Sequence, residues 1–464
     1  PLDRSSRRWL ERKVYVLIST LVGFWVIVVF VLVYHAMKQS PKLSRSNKAH
    51  LRVSHEIQGM NLRTRMPRNE TNFHISPIPN QSIHQYVSDV ADKIKDEAQI
   101  PILPLVKNAS PLLVFTFQRE DYLAQTLSQI LKHIPKSCTI GCPIVVSQDG
   151  YKKEVAEVIA RFQNEYQGVI PIIHWQHEPA KVSGMAWEQG YKKLAIHYGW
   201  ALEHIFKNHA VTESQDNLTP RPDRVIILEE DLMISPDFFH YFAAMIPLLE
   251  KPESNVFTIS AFNDNGKEGM VKDLKRVLRS DFFPGLGWMM TRRLWEAELS
   301  VKWPKGYWDD WLREPSQRKG RHILRPEVSR TFHFGTKGGT SNNQFGGNLN
   351  KIHLNQEFTD WKFFNLLSLM EGVYDRNYFS MISSADPALS LELALESSKS
   401  KHVRLEYSSI LEFAKLARAL KIMDDEKSGI PRTSYRGVIE IRPYGQNILF
   451  LVPPFKALKD AFHS

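Results

Sequence analysis

The sequence predicts an α/β protein: a largely parallel, three-layer sheet with helices on its faces, followed by a smaller α+β domain. Apolar segments of strand length alternate with segments of helical periodicity from about residue 112 to residue 250. Polar residues stand where the predicted strands end, at Arg119, Asp149 and Asp231. Beyond about residue 346 the pattern changes to three strand-like segments around one helix, which indicates the second domain.

The predicted elements follow one another in the order that a parallel sheet requires. They are a strand at 112–117, a helix from about 122 to 134, a strand at 143–147, a second helix, a strand at 169–175, a long helix at about 189–208, and a strand at 225–228. The smaller domain contains predicted strands at 403–407, 437–441 and 448–452 and a helix at about 411–420. Carboxyl ends of parallel strands share one edge of a sheet, so one ligand could contact all the polar strand ends.

The most informative stretch is the acidic run Glu229-Glu230-Asp231, which directly follows an apolar strand. Three adjacent carboxylates repel one another, and a divalent cation carrying a diphosphate would offset that repulsion. Ser235 and Pro236 then predict a helix start, so the acids are expected in a strand-to-helix loop. A solvated acidic turn is the alternative that this stretch alone leaves open.

Composition and one apolar segment set the broad class of the protein. The formal net charge of +10 over 464 residues is spread along the chain, which argues against nucleic-acid binding. Residues 14–34 are apolar, carry no charge and follow a basic segment, so they predict a single membrane-spanning signal-anchor after a cytosolic tail at 1–13. Residues 35–108 are largely polar, with little periodicity and frequent proline, which predicts a lumenal stem.

Glycosylation sequons and cysteines bear on the same topology. Sequons begin at Asn69, Asn80, Asn108 and Asn217, and the first three fall in or at the end of the predicted stem. The two cysteines, Cys138 and Cys142, either form a disulfide across a five-residue loop or stay free. Two cysteines do not form a zinc site by themselves.

Several longer sequence motifs occur in one order, and together they resemble those of a known protein family. They are DFFPGLGW at 281–288, KWPK at 302–305, WDDW at 308–311, RPEVSRT at 325–331 and KSGIPR at 427–432. With the acidic run, they make residues from about 111 to 455 resemble glycosyltransferase family 13, the inverting N-acetylglucosaminyltransferases. The stem shows no such resemblance.

The resemblance implies a GT-A fold for residues 109–345, a linker at 346–375 and a C-terminal domain at 376–464. It also implies a type II Golgi membrane protein with a lumenal catalytic domain and bound Mn²⁺. The expected reaction transfers N-acetylglucosamine from UDP-GlcNAc, in β-1,2 linkage, onto the α-1,3-mannose arm of a high-mannose N-glycan, the step that opens hybrid and complex glycan synthesis. Two alternatives stay open: action on O-mannosyl glycans, and a catalytically silent Golgi glycan-binding protein.

The resemblance also implies roles for individual residues. Asp231 matches the family's metal ligand, and Asp309 matches the carboxylate that takes the proton from the acceptor hydroxyl, with Asp310 as the alternative base. Trp308 is expected to pack against the donor sugar; taken without the resemblance, Trp308 would be a core aromatic residue and Asp309 a helix cap. The remaining residues expected to bind donor are Arg119, Asp149, His197, Glu229, Glu230 and Ser341, with Thr340 competing with Ser341.

Two departures from the family's pattern stand out. Glu230 replaces an aspartate of the family's Glu-Asp-Asp, and its carboxylate reaches one methylene further. Two pairs of family disulfide cysteines are replaced by Phe117 with Gly150 and by Thr258 with Ile323. Because both members of each pair are absent, we expect packing to substitute for the bridges.

Overall fold

The computed structural model of the protein describes residues 110–138, 142–207, 221–336 and 346–463. The predicted signal-anchor at 14–34, the stem at 35–108, the sequon at Asn217, and both Thr340 and Ser341 lie outside these ranges. Across the described ranges, no helix is both long enough and apolar enough to cross a membrane.

The main sheet has eight strands in the order β3-β2-β1-β4-β8-β6-β9-β7. Neighbours β3-β2, β2-β1, β1-β4 and β6-β9 pair in parallel, and the others pair antiparallel. The strands are β1 (Leu112–Thr116), β2 (Ile144–Asp149), β3 (Ile172–His177), β4 (Arg224–Glu229), β6 (Val256–Ser260), β7 (Val277–Ser280), β8 (Trp288–Thr291) and β9 (His322–Pro326). The predicted parallel order is therefore confirmed for the first four strands, and the second half of the sheet is mixed.

Helices pack on both faces of this sheet and on a second sheet nearer the C-terminus. In chain order they are α1 (Glu120–His133), α2 (Lys153–Glu165), α3 (Ala186–Lys207), α4 (Phe238–Glu250), α5 (Arg292–Leu294), α6 (Trp308–Arg313), α7 (Pro315–Arg318), α8 (Gly346–Leu349), α9 (Glu371–Ser384), α10 (Leu391–Ser398), α11 (Ile410–Ala419) and α12 (Phe455–His463). Successive residues of a strand point to opposite faces. Leu112 and Val114 accordingly pack with α1, α2 and α4, whereas Leu113 and Phe115 pack with α3. The three-layer prediction is confirmed.

The segment after the acidic run differs from the prediction. Instead of leading directly into a helix, it forms β5 (Leu232–Ile234), which pairs antiparallel with β10 (Thr331–His333). The helix α4 begins only at Phe238, and Ser235 does not cap it; its hydroxyl donates to Asp237. The predicted helix start was therefore wrong, because pairing with β10 keeps the chain extended past residue 231.

The C-terminal segment contains a second sheet, in the order β11-β12-β16-β15. Its strands are β11 (Asp386–Ala388), β12 (Val403–Glu406), β15 (Ile439–Ile441) and β16 (Leu449–Val452), and a short hairpin joins β13 (Glu426–Lys427) to β14 (Ile430–Pro431). The three predicted strands and the predicted helix, now α11, are confirmed. The sequence missed β11 and α10, and the parallel pairs β11-β12 and β12-β16 give this segment an α/β character.

The residues that replace the family's two cysteine pairs differ in how far they are buried. Thr258 and Ile323 are direct partners in the parallel pair β6-β9, and both side chains are buried. Packing therefore occupies the place of that bridge, as expected. Phe117 is partly exposed, and Gly150 has a φ of 94°, a conformation that suits glycine. Cys138 and Cys142 form a disulfide with a Cα–Cα distance of 4.8 Å.

Thr258→Val is expected to stabilise the protein. The Thr258 hydroxyl is buried and makes no hydrogen bond within the part of the chain that the structure describes. A valine of the same shape removes that desolvated hydroxyl, so we expect the free energy of unfolding to rise by about 1 kcal/mol. Urea unfolding of both proteins measures this. Thr126→Val is the matched control: its buried hydroxyl donates to the Glu230 carbonyl at 2.7 Å, so that change should destabilise. A loss of stability in Thr258→Val would contradict the expectation.

Candidate active site

The carboxyl ends of β1, β2 and β4 meet at one edge of the main sheet. Thr116 pairs with Gln148, and Phe115 pairs with Glu229, so the polar residues that follow these strands are neighbours. The helix α3 packs on one face of the sheet and contributes two buried residues here, His197 beside Ser147 and Tyr198 beside Glu229. The structure therefore brings together the strand-end residues that the sequence predicted to share a ligand.

Glu230 is turned toward the end of β1. Its carboxylate accepts hydrogen bonds from the Thr116 hydroxyl, from the Phe117 amide at 2.9 Å and from Arg119 Nε at 2.6 Å. Burial raises the pKa of Glu230, against the opposing charge of Arg119. All these partners belong to the segment 116–119, so Glu230 fixes Arg119 in place. Its expected contact with the donor stays a prediction and would have to compete with these bonds.

Asp231 lies beside the guanidinium of Arg119 and the imidazole of His333, and one of its oxygens has no partner among the described residues. Its Oδ2 stands 2.8 Å from Arg119 Nη1 and 3.2 Å from His333 Nε2. Its Oδ1 is buried and makes no hydrogen bond to any described residue. Burial opposes ionisation, but the hydrogen bond and charge of His333 and the charge of Arg119 prevail and lower the pKa of Asp231. Asp231 is therefore an ionised carboxylate with a spare lone-pair donor.

Glu229 has a different hydrogen-bond partner from Glu230 and Asp231. It accepts a hydrogen bond of 2.8 Å from the Tyr198 hydroxyl. Desolvation and the adjacent Asp231 charge raise the pKa of Glu229. The sequence suggested that a bound cation would offset all three carboxylates, whereas the structure shows that Arg119, His333 and hydrogen-bond donors already contact them. His333 was missed, because only the pairing of β10 with β5 brings it to residue 231.

Asp149 and His197 lie in one buried polar cluster. Asp149 Oδ1 stands 2.7 Å from His177 Nδ1, and the Ser147 hydroxyl stands 2.8 Å from His197 Nε2. The His177 and His197 rings stack with centroids 5.1 Å apart. Burial lowers the pKa of His197 to about 3, so this imidazole is neutral and can accept a hydrogen bond. The sequence found Asp149 and His197 but missed His177, which connects them.

A stack of aromatic rings joins the acidic run to the helix that carries Asp309. Tyr198 lies between Phe115 at 3.8 Å and Trp308 at 4.1 Å, measured between ring centroids. Trp308 is buried and also stacks on Trp288. Trp308 is thus a core aromatic residue that positions α6, while its predicted contact with the donor sugar stays a prediction. Tyr198, which the sequence did not single out, contacts both halves of the site.

Both candidate bases are held by one arginine. Arg313 Nη1 lies 2.9 Å from Asp309 Oδ2 and 2.7 Å from Asp310 Oδ1. The Asp309 side chain is 34% exposed and that of Asp310 is 46% exposed, so Asp309 is the more enclosed. Arg313 is itself anchored, because its Nε donates to the Phe283 carbonyl at 3.0 Å. The geometry leaves either carboxylate able to accept a proton.

The residues around Asp231 fit a divalent cation that shares its ligands with a diphosphate. Within the described ranges, no three histidine, cysteine or acidic side chains converge on one point. Small divalent cations are often held by one or two carboxylates while phosphates and water complete the shell. The unpartnered Asp231 Oδ1 suits that arrangement. Gly335 suits it as well, because a Cβ at that position would collide with the Asp231 carboxylate.

Comparisons with known proteins agree on one family. The model of the GNT-I family matches residues 18–461. The chain is 36% identical over 363 residues to the alpha-1,3-mannosyl-glycoprotein 2-beta-N-acetylglucosaminyltransferase of Arabidopsis thaliana, covering 78% of this chain and 76% of that protein.

Solved structures give weaker likenesses. The mannosyltransferase PcManGT from Pyrobaculum calidifontis, in complex with GDP-Man and Mn²⁺, is 13% identical with a TM-score of 0.32, covering 54% of this chain and 66% of that one. The S. aureus protein TarS, in complex with UDP-GlcNAc, is 11% identical with a TM-score of 0.33, covering 67% of this chain and 81% of that one. At these TM-scores the likenesses carry no argument about this protein.

Proposed function

The chain belongs to the GNT-I family, and on that premise we propose that it transfers N-acetylglucosamine from UDP-GlcNAc to the α-1,3-mannose arm of a high-mannose N-glycan, forming a β-1,2 linkage. The observation that carries this proposal is the 36% identity to the Arabidopsis enzyme of that name over 76% of its length. The site agrees, since one oxygen of Asp231 makes no hydrogen bond to any described residue, and the stacked rings of Tyr198 and Trp308 connect Glu229 to the helix that carries the partly exposed Asp309.

The donor is proposed to lie across the carboxyl ends of β1, β2 and β4, as in a GT-A fold. Asp149 would accept a hydrogen bond from a uracil N–H, and His177 fixes the orientation of that carboxylate. Arg119, placed by Glu230, offers a positive charge to the diphosphate. Asp231 would hold the divalent cation, Mn²⁺ in this proposal, which when bound supplies Lewis-acid stabilisation of the UDP leaving group.

The transfer itself needs one base and inversion at the anomeric carbon. The acceptor hydroxyl oxygen bonds to that carbon from the side opposite the diphosphate, the carbon–oxygen bond to UDP breaks, and the hydroxyl proton passes to Asp309. Arg313 keeps the Asp309 carboxylate in one orientation. Because Trp308 is locked into the ring stack, the adjacent Asp309 is fixed relative to Glu229 and Tyr198.

The acceptor is proposed to lie against two stacked tyrosines next to Asp309. Tyr191 and Tyr307 stack with ring centroids 4.7 Å apart, and Tyr307 is 36% exposed. Desolvation and then the charge of Asp309 raise the pKa of Tyr191, as expected for neighbouring side chains. An exposed aromatic face beside the base suits the apolar face of a sugar ring.

Tyr307→Ala is expected to raise the KM for the acceptor about fivefold and to leave the KM for UDP-GlcNAc unchanged, because about 1 kcal/mol of ring stacking is lost. Steady-state kinetics with each substrate varied in turn measure this. Tyr307→Phe should behave like the wild type, since it keeps the ring. Tyr444→Ala removes an exposed tyrosine of the C-terminal segment and is the control. An effect on the donor KM alone would contradict this placement of the acceptor.

The reaction is tested with the purified full chain, UDP-GlcNAc, Mn²⁺ and an N-glycan that ends in five mannoses. The expected product is heavier by one N-acetylhexosamine and shows a β-1,2 linkage by NMR. Transfer to O-mannosyl glycans instead would replace the proposed acceptor. Binding of donor without transfer to either acceptor would favour a silent glycan-binding protein, and absence of donor binding would end the proposal.

The location is a further part of the proposal. We place residues 14–34 as a signal-anchor in the Golgi membrane, with the catalytic domain in the lumen, because the apolar run follows a basic tail and precedes three sequons. Protease protection in sealed Golgi vesicles tests it. Digestion of the catalytic domain without detergent would contradict a lumenal location.

A further inference from the structure

We infer that His333 is a second protein ligand of the divalent cation, binding through Nε2 beside Asp231. The inference rests on the proposed function, because it concerns the cation that would carry the diphosphate. His333 lies outside the acidic run and outside α6. It reaches Asp231 because β10 pairs with β5, and the sequence did not predict this pairing.

The backbone holds His333 and Asp231 together. In the pair β10-β5, His333 stands opposite Leu232, the residue that follows Asp231. The next amide, that of Phe334, donates to the Asp231 carbonyl at 3.0 Å. Gly335 then approaches the Asp231 carboxylate more closely than a residue with a Cβ could. The relative position of the two side chains is therefore set by main-chain contacts on both sides.

The distance between the two donor atoms matches an edge of a coordination shell. His333 Nε2 stands 3.2 Å from Asp231 Oδ2. Two adjacent ligands of an octahedral ion, each about 2.1 Å from the metal, lie about 3 Å apart. Imidazole binds divalent transition metals through a nitrogen that carries no proton, so the cation would displace any proton on Nε2 that bonds to Asp231. The guanidinium of Arg119, which contacts the same Oδ2, has no lone pair to offer. Of the two side chains that contact Asp231 Oδ2 in the described ranges, His333 is therefore the one that can share a metal with it.

The small number of protein ligands predicts how the site behaves. Since no third acidic, cysteine or histidine side chain converges here within the described ranges, the diphosphate and water would complete the shell. Binding of Mn²⁺ should therefore be much tighter when UDP is present. A nitrogen ligand should also favour Co²⁺ over Mg²⁺, which prefers oxygen.

The competing explanation is that His333 only donates a hydrogen bond to Asp231. Pulsed EPR of Mn²⁺ bound to the full chain with saturating UDP separates the two, because it detects the coupling of a directly coordinated imidazole nitrogen. We expect that coupling in the wild type and its loss in His333→Asn and His333→Ala. We also expect the Kd for Mn²⁺ with UDP to rise at least about tenfold in both variants, and the preference for Co²⁺ over Mg²⁺ to fall.

His353→Asn is the matched control, because His353 pairs with the exposed Glu268 and should leave every readout unchanged. A wild-type spectrum without coordinated nitrogen, or an unchanged Kd in His333→Ala, would overturn the inference. Asp231→Asn shows which proposal has failed. If it abolishes Mn²⁺ binding while His333→Ala does not, only the role of His333 is lost. If neither variant affects binding, or the wild type binds no Mn²⁺ with UDP, the cation site of the proposed function fails as well.

Discussion

Asp309→Asn is expected to lower the rate of transfer by about 10³-fold while UDP-GlcNAc still binds as in the wild type. The amide keeps the shape of the carboxylate but cannot take up the proton of the acceptor hydroxyl. Donor binding should persist, because the residues proposed to contact UDP lie at the strand ends and not on α6. Single-turnover transfer of radiolabelled sugar measures the rate, and calorimetric titration measures donor affinity.

Asp310→Asn is the matched control, since both carboxylates contact the same nitrogen of Arg313. Either change removes one negative charge beside that guanidinium, so a loss that came only from disturbing Arg313 would be similar in the two variants. We expect the Asp310 variant to retain transfer within about tenfold of the wild type. If the Asp310 variant instead lost activity and the Asp309 variant kept it, Asp310 would be the base.

The strand-and-helix alternation predicted the first half of the sheet because buried parallel strands leave a clear signal of length and apolarity. The same signal placed Arg119, Asp149 and Asp231 at one edge, and the structure shows Arg119 in contact with Asp231. Short antiparallel strands leave no such signal. The pairing of β5 with β10 joins residues about one hundred positions apart, so His333 could not be placed from local pattern.

Contacts between buried side chains were the other feature that the sequence did not predict. Tyr198 stands next to the predicted His197, but its role depends on a hydroxyl that reaches Glu229 and on a ring between Phe115 and Trp308. These contacts come from three different elements. Glu230, by contrast, was singled out in the sequence for its extra methylene. In the structure its carboxylate accepts hydrogen bonds from Phe117 and Arg119, which follow β1. Neither arrangement follows from residue type and spacing alone.

Asp231→Asn is expected to remove the effect of Mn²⁺ on UDP affinity and to lower transfer by at least about 10²-fold. The amide removes the negative charge and the ionised oxygen that has no partner among the described residues, so the proposed cation loses its main ligand. Titration of UDP with and without Mn²⁺ measures the effect: the two affinities should differ strongly in the wild type and become equal in the variant.

Glu230→Gln distinguishes loss of the cation ligand from general damage to the acidic run. Glu230 is buried and bonded to Thr116, Phe117 and Arg119, so its neutral variant should mainly destabilise the fold, by about 3 kcal/mol, and should leave the Mn²⁺ dependence of UDP binding in place. Asp231→Asn should show the reverse pattern, because Arg119 keeps its contact with Glu230. Thermal unfolding of both variants completes the comparison. A Glu230→Gln protein that binds UDP without responding to Mn²⁺, beside an Asp231→Asn protein that still responds, would transfer the metal role from Asp231 to Glu230.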